Sequence, residues 1–527
     1  MNEYQIYFSK YNLRDYEKDI AISEIKSIVP TITENNIKND KIILSTEKKI
    51  EEDKLKRLTF FSEYSFKNSS CIEKKIVTNQ SILENLKDLP DEVLTSNLVF
   101  KIRPNSTREI RYLTHSFHEY KGRFYPQLAK SFMNFANLKP GEIVLDPFCG
   151  SGTTLVESFL FGANAIGVDI NPIAYLLTKA KIRSFYISID ELLKTKSFFE
   201  QIHLTNDFDY NIESFSHALD IEYLLRWFPK RNLKQILFLL EQFSLQENED
   251  IQFLLKITLS NIFRDFSNQD PSQLRIRRRK TPPPRNLIER FKADLTSNIQ
   301  SLIKFQKLNF LNFNAEIKNY LGDVRSLSSS TGICSSSIDL AITSPPYATA
   351  LPYIDTDRLS LYVFGYTQRD SFRKLENSLI GNREITKKSR ELLDTELEKN
   401  FTTSILPKEI IKLLERIYYL NKNSNVGFRR KNTAALLFKY FIDMDQSMKQ
   451  MHSVLKLNKY YFMVIGNNRT TAGNEEISIP TVYFIGLIAE SNGFKLYKKI
   501  DMTVQQSYMI HSKNAINSES ILILGKK

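Results

Sequence analysis

Cysteine is close to absent from this 527-residue chain: Cys71, Cys149 and Cys334 are its only three. They are too few and too scattered for a disulfide framework or a CxxC metal site, and they suit a reducing compartment. Histidine is scarce as well. The six residues form no HExxH or HxH cluster, so no metal is expected. No run approaches the roughly 18 apolar residues that a membrane span needs. Met1 to Lys10 carries Glu3 among polar and aromatic residues and lacks the apolar stretch of a signal peptide. The expectation is a cytoplasmic protein with no membrane partner. No internal repeat recurs at periods of about 20–50 residues, which excludes a solenoid.

Hydrophobic residues make up 42% of the chain and charged residues 25%, which excludes a wholly disordered or collagen-like protein. Aromatic residues reach 12%, ample for large cores. A prior of about 100–200 residues per domain allows about three domains. Lys and Arg number 73 against 60 Asp and Glu, a net charge of +13. That balance fits a nucleic-acid partner without identifying one.

Residues 1–100 are rich in Lys, Glu, Asn and Ile, with short apolar stretches at 42–44 and 59–61, and read as a small α+β module. Residues 101–186 begin an α/β domain: a helix over 124–137, a Pro-Gly turn at 140–141, then the short buried strand Ile143-Val144-Leu145. Residues 187–315 read as a helical insertion, with Pro229 dividing one apolar stretch into two helices. Residues 316–527 resume the α/β pattern. A strand at 338–343 is followed by a charged, irregular insert at 366–432 with one helix near 409–420. Then come a helix over 434–455, a strand at 460–465, a helix over 481–491 and strands at 494–500 and 520–524. Strands and helices that alternate on both sides of a helical insert indicate one α/β domain with insertions.

Two loops carry chemistry. In the first, Asp146-Pro147-Phe148-Cys149-Gly150-Ser151-Gly152-Thr153-Thr154 follows a strand and opens a helix. Its glycines let backbone approach a ligand at a helix N-terminus. Asp146, at the strand tip, is a natural partner for an ammonium or a ribose. A second strand ends in Asp169-Ile170-Asn171. An acid at a second strand tip, about 20 residues on, can bind both ribose hydroxyls. A dinucleotide site wants G-x-G-x-x-G, and only two of those glycines are present. A P-loop wants GxxxxGK[ST], and the Lys is missing. S-adenosylmethionine (SAM) has a ribose, an adenine and an ammonium but no pyrophosphate, and it fits the Asp that opens the loop. An ordinary glycine-bearing turn is the bland alternative.

The second loop, Ser344-Pro345-Pro346-Tyr347, ends the strand at 338–343. Two prolines fix a rigid turn that presents a side-chain oxygen and a backbone carbonyl together. Two such acceptors can hold an exocyclic amine and aim its nitrogen at a methyl donor, and a Tyr can stack on the base. A proline-stiffened loop without function is the alternative.

Together, the glycine loop, Val168-Asp169-Ile170-Asn171 and Thr343-Ser344-Pro345-Pro346-Tyr347 closely resemble the SAM-dependent amino-methyltransferases of DNA, which modify cytosine N4 or adenine N6. The resemblance spans about 115–182 and 319–525. It implies an α/β fold with a doubly wound, seven-stranded sheet. It implies that Asp146, Phe148, Gly150, Gly152 and Thr153 belong to the SAM-binding motif, with Asp169, Ile170 and Asn171 at the ribose. Gly322-Asp323 resembles the motif whose acid contacts the adenine amine. Ser344, Pro345, Pro346 and Tyr347 match the catalytic motif, and Ser in first place is commoner among cytosine-N4 enzymes. Residues 118–126, with Tyr125 as a cofactor contact, resemble the segment that closes over the methionine end of SAM.

Asp169 and Asp323 lie 154 residues apart, far more than the roughly 30 of a βαβ unit, so the insertion is large. It holds Arg275, Arg277, Arg278, Arg279, Lys280 and Arg285 with no acid among them, and Pro282 to Pro284 forbid helix there. An exposed loop that grips double-stranded DNA is expected, with a solvated loop as the alternative. Arg429-Arg430-Lys431 reads more simply as charged surface. A target base would leave the duplex stack to reach the pocket. In a restriction-modification setting, a cognate restriction endonuclease would be a partner. No Cys follows a Pro, which argues against carbon-5 cytosine methylation. Three rivals stay open: an adenine-N6 enzyme, a tRNA guanine-N2 methyltransferase whose N-terminal module 7–17 vaguely resembles, and a degenerate nucleic-acid-binding subunit.

Overall fold

A computed structural model describes residues 2–29, 37–68, 71–90, 108–204, 208–273, 276–308, 315–348, 353–503 and 518–527. The N-terminal region forms a four-stranded antiparallel sheet from β1 (Asn2–Phe8), β2 (Lys41–Thr46), β3 (Phe61–Asn68) and β4 (Cys71–Val77), in the order β2-β1-β3-β4. The helix Asp15–Ile28 buries Ile20, Ala21 and Ile25 in the same core as this sheet and packs against the helix Pro126–Phe135.

The second sheet has seven strands: β5 (Ile143–Asp146), β6 (Asn164–Asp169), β7 (Ile317–Leu321), β8 (Ile338–Thr343), β9 (Leu455–Gly466), β12 (Phe494–Thr503) and β13 (Ser518–Lys526). Between them in sequence, β10 (Asn468–Ala472) and β11 (Glu475–Ile479) form a separate hairpin, which the sequence pattern did not lead us to expect. The sheet order is β12-β13-β9-β8-β5-β6-β7, parallel except for β13, which pairs antiparallel with both neighbours. This is the doubly wound α/β sheet expected. Its strand order reverses between β5 and β8, and the carboxyl ends of those two strands open a crevice where such sheets bind ligands.

Side chains alternate across a strand, so each face builds its own core. Val144, Leu340, Ile342, Phe462 and Val464 face a core shared with the N-terminal sheet and the insertion. Leu145, Ala341, Tyr461, Met463 and Ile465 face a second core that contains residues from the later insert and the helix Thr433–Val454. The insertion is helical, with Ile189–Glu200, Ile221–Trp227, Lys230–Ser244, Glu249–Ile262 and Leu287–Gln306. The later insert holds the one helix expected near 409–420, as Lys408–Lys422. It otherwise differs from its irregular reading, because Arg369–Ser378, Lys387–Asn400 and the short Phe428–Lys431 are helical as well. Apolar residues are sparse in Arg369–Ser378 and Lys387–Asn400, so their spacing was faint. After β8 the chain contributes Leu359, Leu361, Tyr362 and Phe372 to the first core, then Ile380 and Leu397 to the second. It crosses the sheet's carboxyl edge near 379–381. Among the described residues, no helix is long and apolar enough to cross a membrane.

Candidate active site at the strand-order reversal

The glycine loop is held from below. Gly152 has φ +78°, and a Cβ there would lie 2.8 Å from the Thr178 hydroxyl, so only glycine lets the helix Thr153–Phe161 start against the helix Pro172–Arg183. Thr178 donates to the Gly150 carbonyl at 2.9 Å, and Lys181 Nζ donates to the Ser151 carbonyl at 2.9 Å. Lys181 is fully buried, and burial pushes its ammonium well below the ordinary range. Nothing in the sequence pattern marked it as a support for the loop.

A cavity of about 700 Å³, its solvent-open mouth included, lies at the carboxyl ends of β5, β6 and β8. Of the cofactor candidates, Phe148, Gly150, Asp169, Ile170, Asn171 and Asp323 line it. Asp169 accepts from the backbone N–H of Gly150 at 2.9 Å and of Asn171 at 2.8 Å, and burial raises its carboxyl to about 6. Asp323 reaches the cavity wall, but Arg325 also grips its carboxylate through Nε at 2.9 Å and through Nη2 at 2.6 Å. The same guanidinium spans to Asp443 at 2.8 Å and to the Ser378 carbonyl at 2.7 Å.

Four candidates lie elsewhere. Asp146 does not line the cavity. Its carboxylate accepts from the hydroxyls of Thr154 at 2.6 Å and Thr343 at 2.7 Å and from Phe148 N–H, and burial raises it to about 6. It clasps β5, β8 and the loop together rather than facing a ligand. Thr153 is buried, and Gly152 packs on Thr178. Tyr125 points to the N-terminal module: its hydroxyl pairs with Tyr16 and Glu17 at 2.9 Å, and Arg108 holds both Glu17 oxygens at 2.6 Å. Tyr120 and Gly122, from the same segment, line the cavity in its place.

In the proline loop, Ser344 and Pro346 line the cavity, while Pro345 and Tyr347 do not. Tyr347 is buried and donates to Glu519 Oε1 at 2.8 Å. Burial raises the Glu519 carboxyl. Leu379 and Ile380 close the cavity's far wall, and next to them Gly381 presses on the loop. With φ +77°, a Cβ there would lie 3.1 Å from Pro346 Cβ and 3.2 Å from the Tyr347 carbonyl. Sequence reasoning missed this strap and Glu519, because neither sits in a motif.

The basic loop lies apart from the cavity, and Arg275 is outside the described residues. Arg277, Lys280 and Arg285 are exposed. Arg278 stacks on Trp227 and donates to the Arg226 carbonyl at 3.0 Å, while Arg279 donates to the Asp265 carbonyl at 2.8 Å. These two guanidiniums pin the loop, which is less free than an ordinary solvated segment.

A family model described as RMKL-like, methyltransferase domain, matches residues 108–188. Over 79% of its length the chain is 25% identical to the Type II methyltransferase M.MvaI of Kocuria varians, covering 90% of that protein. It is 24% identical over 73% of its length to the Type II methyltransferase M.BsoBI of Geobacillus stearothermophilus, covering 79% of that protein. A tRNA (guanine(10)-N2)-dimethyltransferase of Methanocaldococcus jannaschii is 38% identical, but over 18% of this chain and 27% of that protein.

Proposed function

We propose that this chain, a homologue of the Type II methyltransferases over most of its length, transfers the methyl group of SAM to the exocyclic amine of a base in duplex DNA, cytosine N4 foremost. A restriction-modification setting fits that reading. The observation that carries it is the meeting, in one cavity, of the Asp169 tip, the glycine loop and Ser344.

The lining suits SAM. Asp169 offers a half-buried carboxylate for ribose hydroxyls, Ile170 and Val324 offer apolar walls, and Tyr120 stands over Gly150 with Gly122 also in the lining. Asp323, Ser344 and Pro346 complete a wall whose polar groups are few, as in most small-molecule sites. When bound, SAM supplies the activated methyl. The protein holds the amine. Ser344 Oγ accepts one amine hydrogen, and the Pro345 carbonyl, which does not line the cavity in this state, would accept the other once the loop turns toward the base. The nitrogen lone pair is then free to attack the methyl in line, and the breaking S–CH3 bond releases S-adenosylhomocysteine. Catalysis by position and fixed dipoles needs no covalent intermediate. In this state Tyr347 is held by Glu519, so stacking on a base would require its ring to turn.

The test is incubation with radiolabelled SAM and, separately, unmethylated genomic DNA or tRNA, followed by nucleoside analysis. N4-methylcytosine in DNA is the expected product. N6-methyladenine would change the base only, and label in tRNA alone would overturn the reading.

A further inference from the structure

The geometry points to a second nucleic-acid contact: the exposed run Phe428-Arg429-Arg430-Lys431, with Lys387 and Lys388, grips the phosphate backbone of duplex DNA beside the cavity mouth. The inference rests on the DNA reading above. None of the four residues 428–431 is buried. Phe428 is 51% exposed, an apolar ring left in water among cations, with Arg390 stacked on it at 5.8 Å.

Placement is the first reason. Ile380 lines the cavity, and Glu384 lies four residues further on. Four residues span at most about 14 Å. Arg429 bonds Glu384 at 3.1 Å, and the Asn432 side chain donates to the Ile385 carbonyl at 3.3 Å. The run is therefore tied to the segment that leaves the cavity wall. The loop containing Arg277 and Arg278 stands on the other side. Its neighbouring helix stacks Tyr223 on Tyr362 at 3.9 Å, and Arg369 bonds Asp220 at 2.7 Å. The helix Arg369–Ser378 then leads into the cavity strap. A duplex across the mouth would meet cations on both sides of an extruded base.

Charge is the second reason. The side chains of Arg429 and Lys387 are 72% and 76% exposed. The acids beside the patch are Glu384, Glu391 and Asp394, the last 3.6 Å from Arg390. Arg429–Glu384 is an exposed pair, and Lys387 reaches Glu391 only at 3.9 Å. Such pairs are weak and exchange readily for phosphate. Lys388 and Lys431 have no acidic partner among the described residues. Six cations, Arg390 included, against three acids leave a net positive patch.

Anisotropy of a mixed-sequence duplex, measured from about 50 to 200 mM salt, tests the patch. The Arg429→Gln, Lys431→Gln double variant is expected to lose roughly tenfold in affinity and to flatten the log–log salt slope by about two. Phe428→Ala should weaken binding several-fold with the slope unchanged. S-adenosylhomocysteine binding, unchanged in both, verifies folding, and Lys431→Glu gives an independent check by charge reversal. A wild-type protein that binds duplex steeply, with all variants equal to it, overturns the patch alone. A wild-type protein that binds no duplex overturns the DNA reading and the patch together.

Discussion

At the cavity's floor, Asp169 accepts two backbone N–H groups while burial raises its carboxyl to about 6. The ionised form is the better acceptor for ribose hydroxyls. Ligand affinity is therefore full above that value and falls as pH drops through it, by up to about tenfold per unit. Calorimetric titration of S-adenosylhomocysteine between about pH 5 and 8 should show the break. Asp169→Asn should bind weakly at every pH with no break, and a flat profile in the wild-type protein would sink the assignment. The place of Asp169 in the cavity wall was legible because an acid at a strand tip about 20 residues after a glycine loop falls at the crevice of such a sheet. Asp146 was not. Its residue type suits either an ammonium or three internal donors, and only the positions of Thr154 and Thr343 decide between them. Tyr125 illustrates the same limit: its neighbour Glu17 lies 108 residues away in sequence.

Among elements, the strap at 379–381 and the loop it presses on behave as one unit. Gly381 occupies the left-handed region and abuts Pro346 and the Tyr347 carbonyl. Gly381→Ala adds about 1–2 kcal/mol of backbone strain and a methyl where none fits. The expected result is a kcat at least tenfold lower, with S-adenosylhomocysteine affinity within about twofold. Equal losses in both would show a general collapse instead. The strands and helices around the two signature loops were readable from turn residues and apolar spacing. The later insert was not, because Arg369–Ser378 buries only Phe372 and Lys387–Asn400 only Leu397 and Asn400. Helices with so little buried surface leave a faint periodic trace.

For the whole molecule, the N-terminal sheet, the insertion and one face of the large sheet share a continuous core. Bonds that span the chain reinforce it: Ser27 donates to the Asn134 carbonyl at 2.9 Å, and Lys304 donates to the Leu89 carbonyl at 3.1 Å. One cooperative transition is therefore expected in urea. Trp227, the only tryptophan, reports on the insertion, and far-ultraviolet dichroism reports on the whole. Coincident curves are the expected result, whereas an early fluorescence transition would mean that the insertion unfolds alone.

The two cores also bear on how such a protein can change over generations. Ile276 of the arginine loop packs on the core at one side of the large sheet, whereas the Phe428 run lies against Lys408–Lys422 and Thr433–Val454, helices of the core at the other. The strands between them act as a partition. A drift in volume or shape within one layer is absorbed there and leaves the opposite layer's packing intact. Each flank of the cleft can thus be remodelled by selection on its own timetable, while the strand tips that hold Asp169 and Ser344 stay where they are.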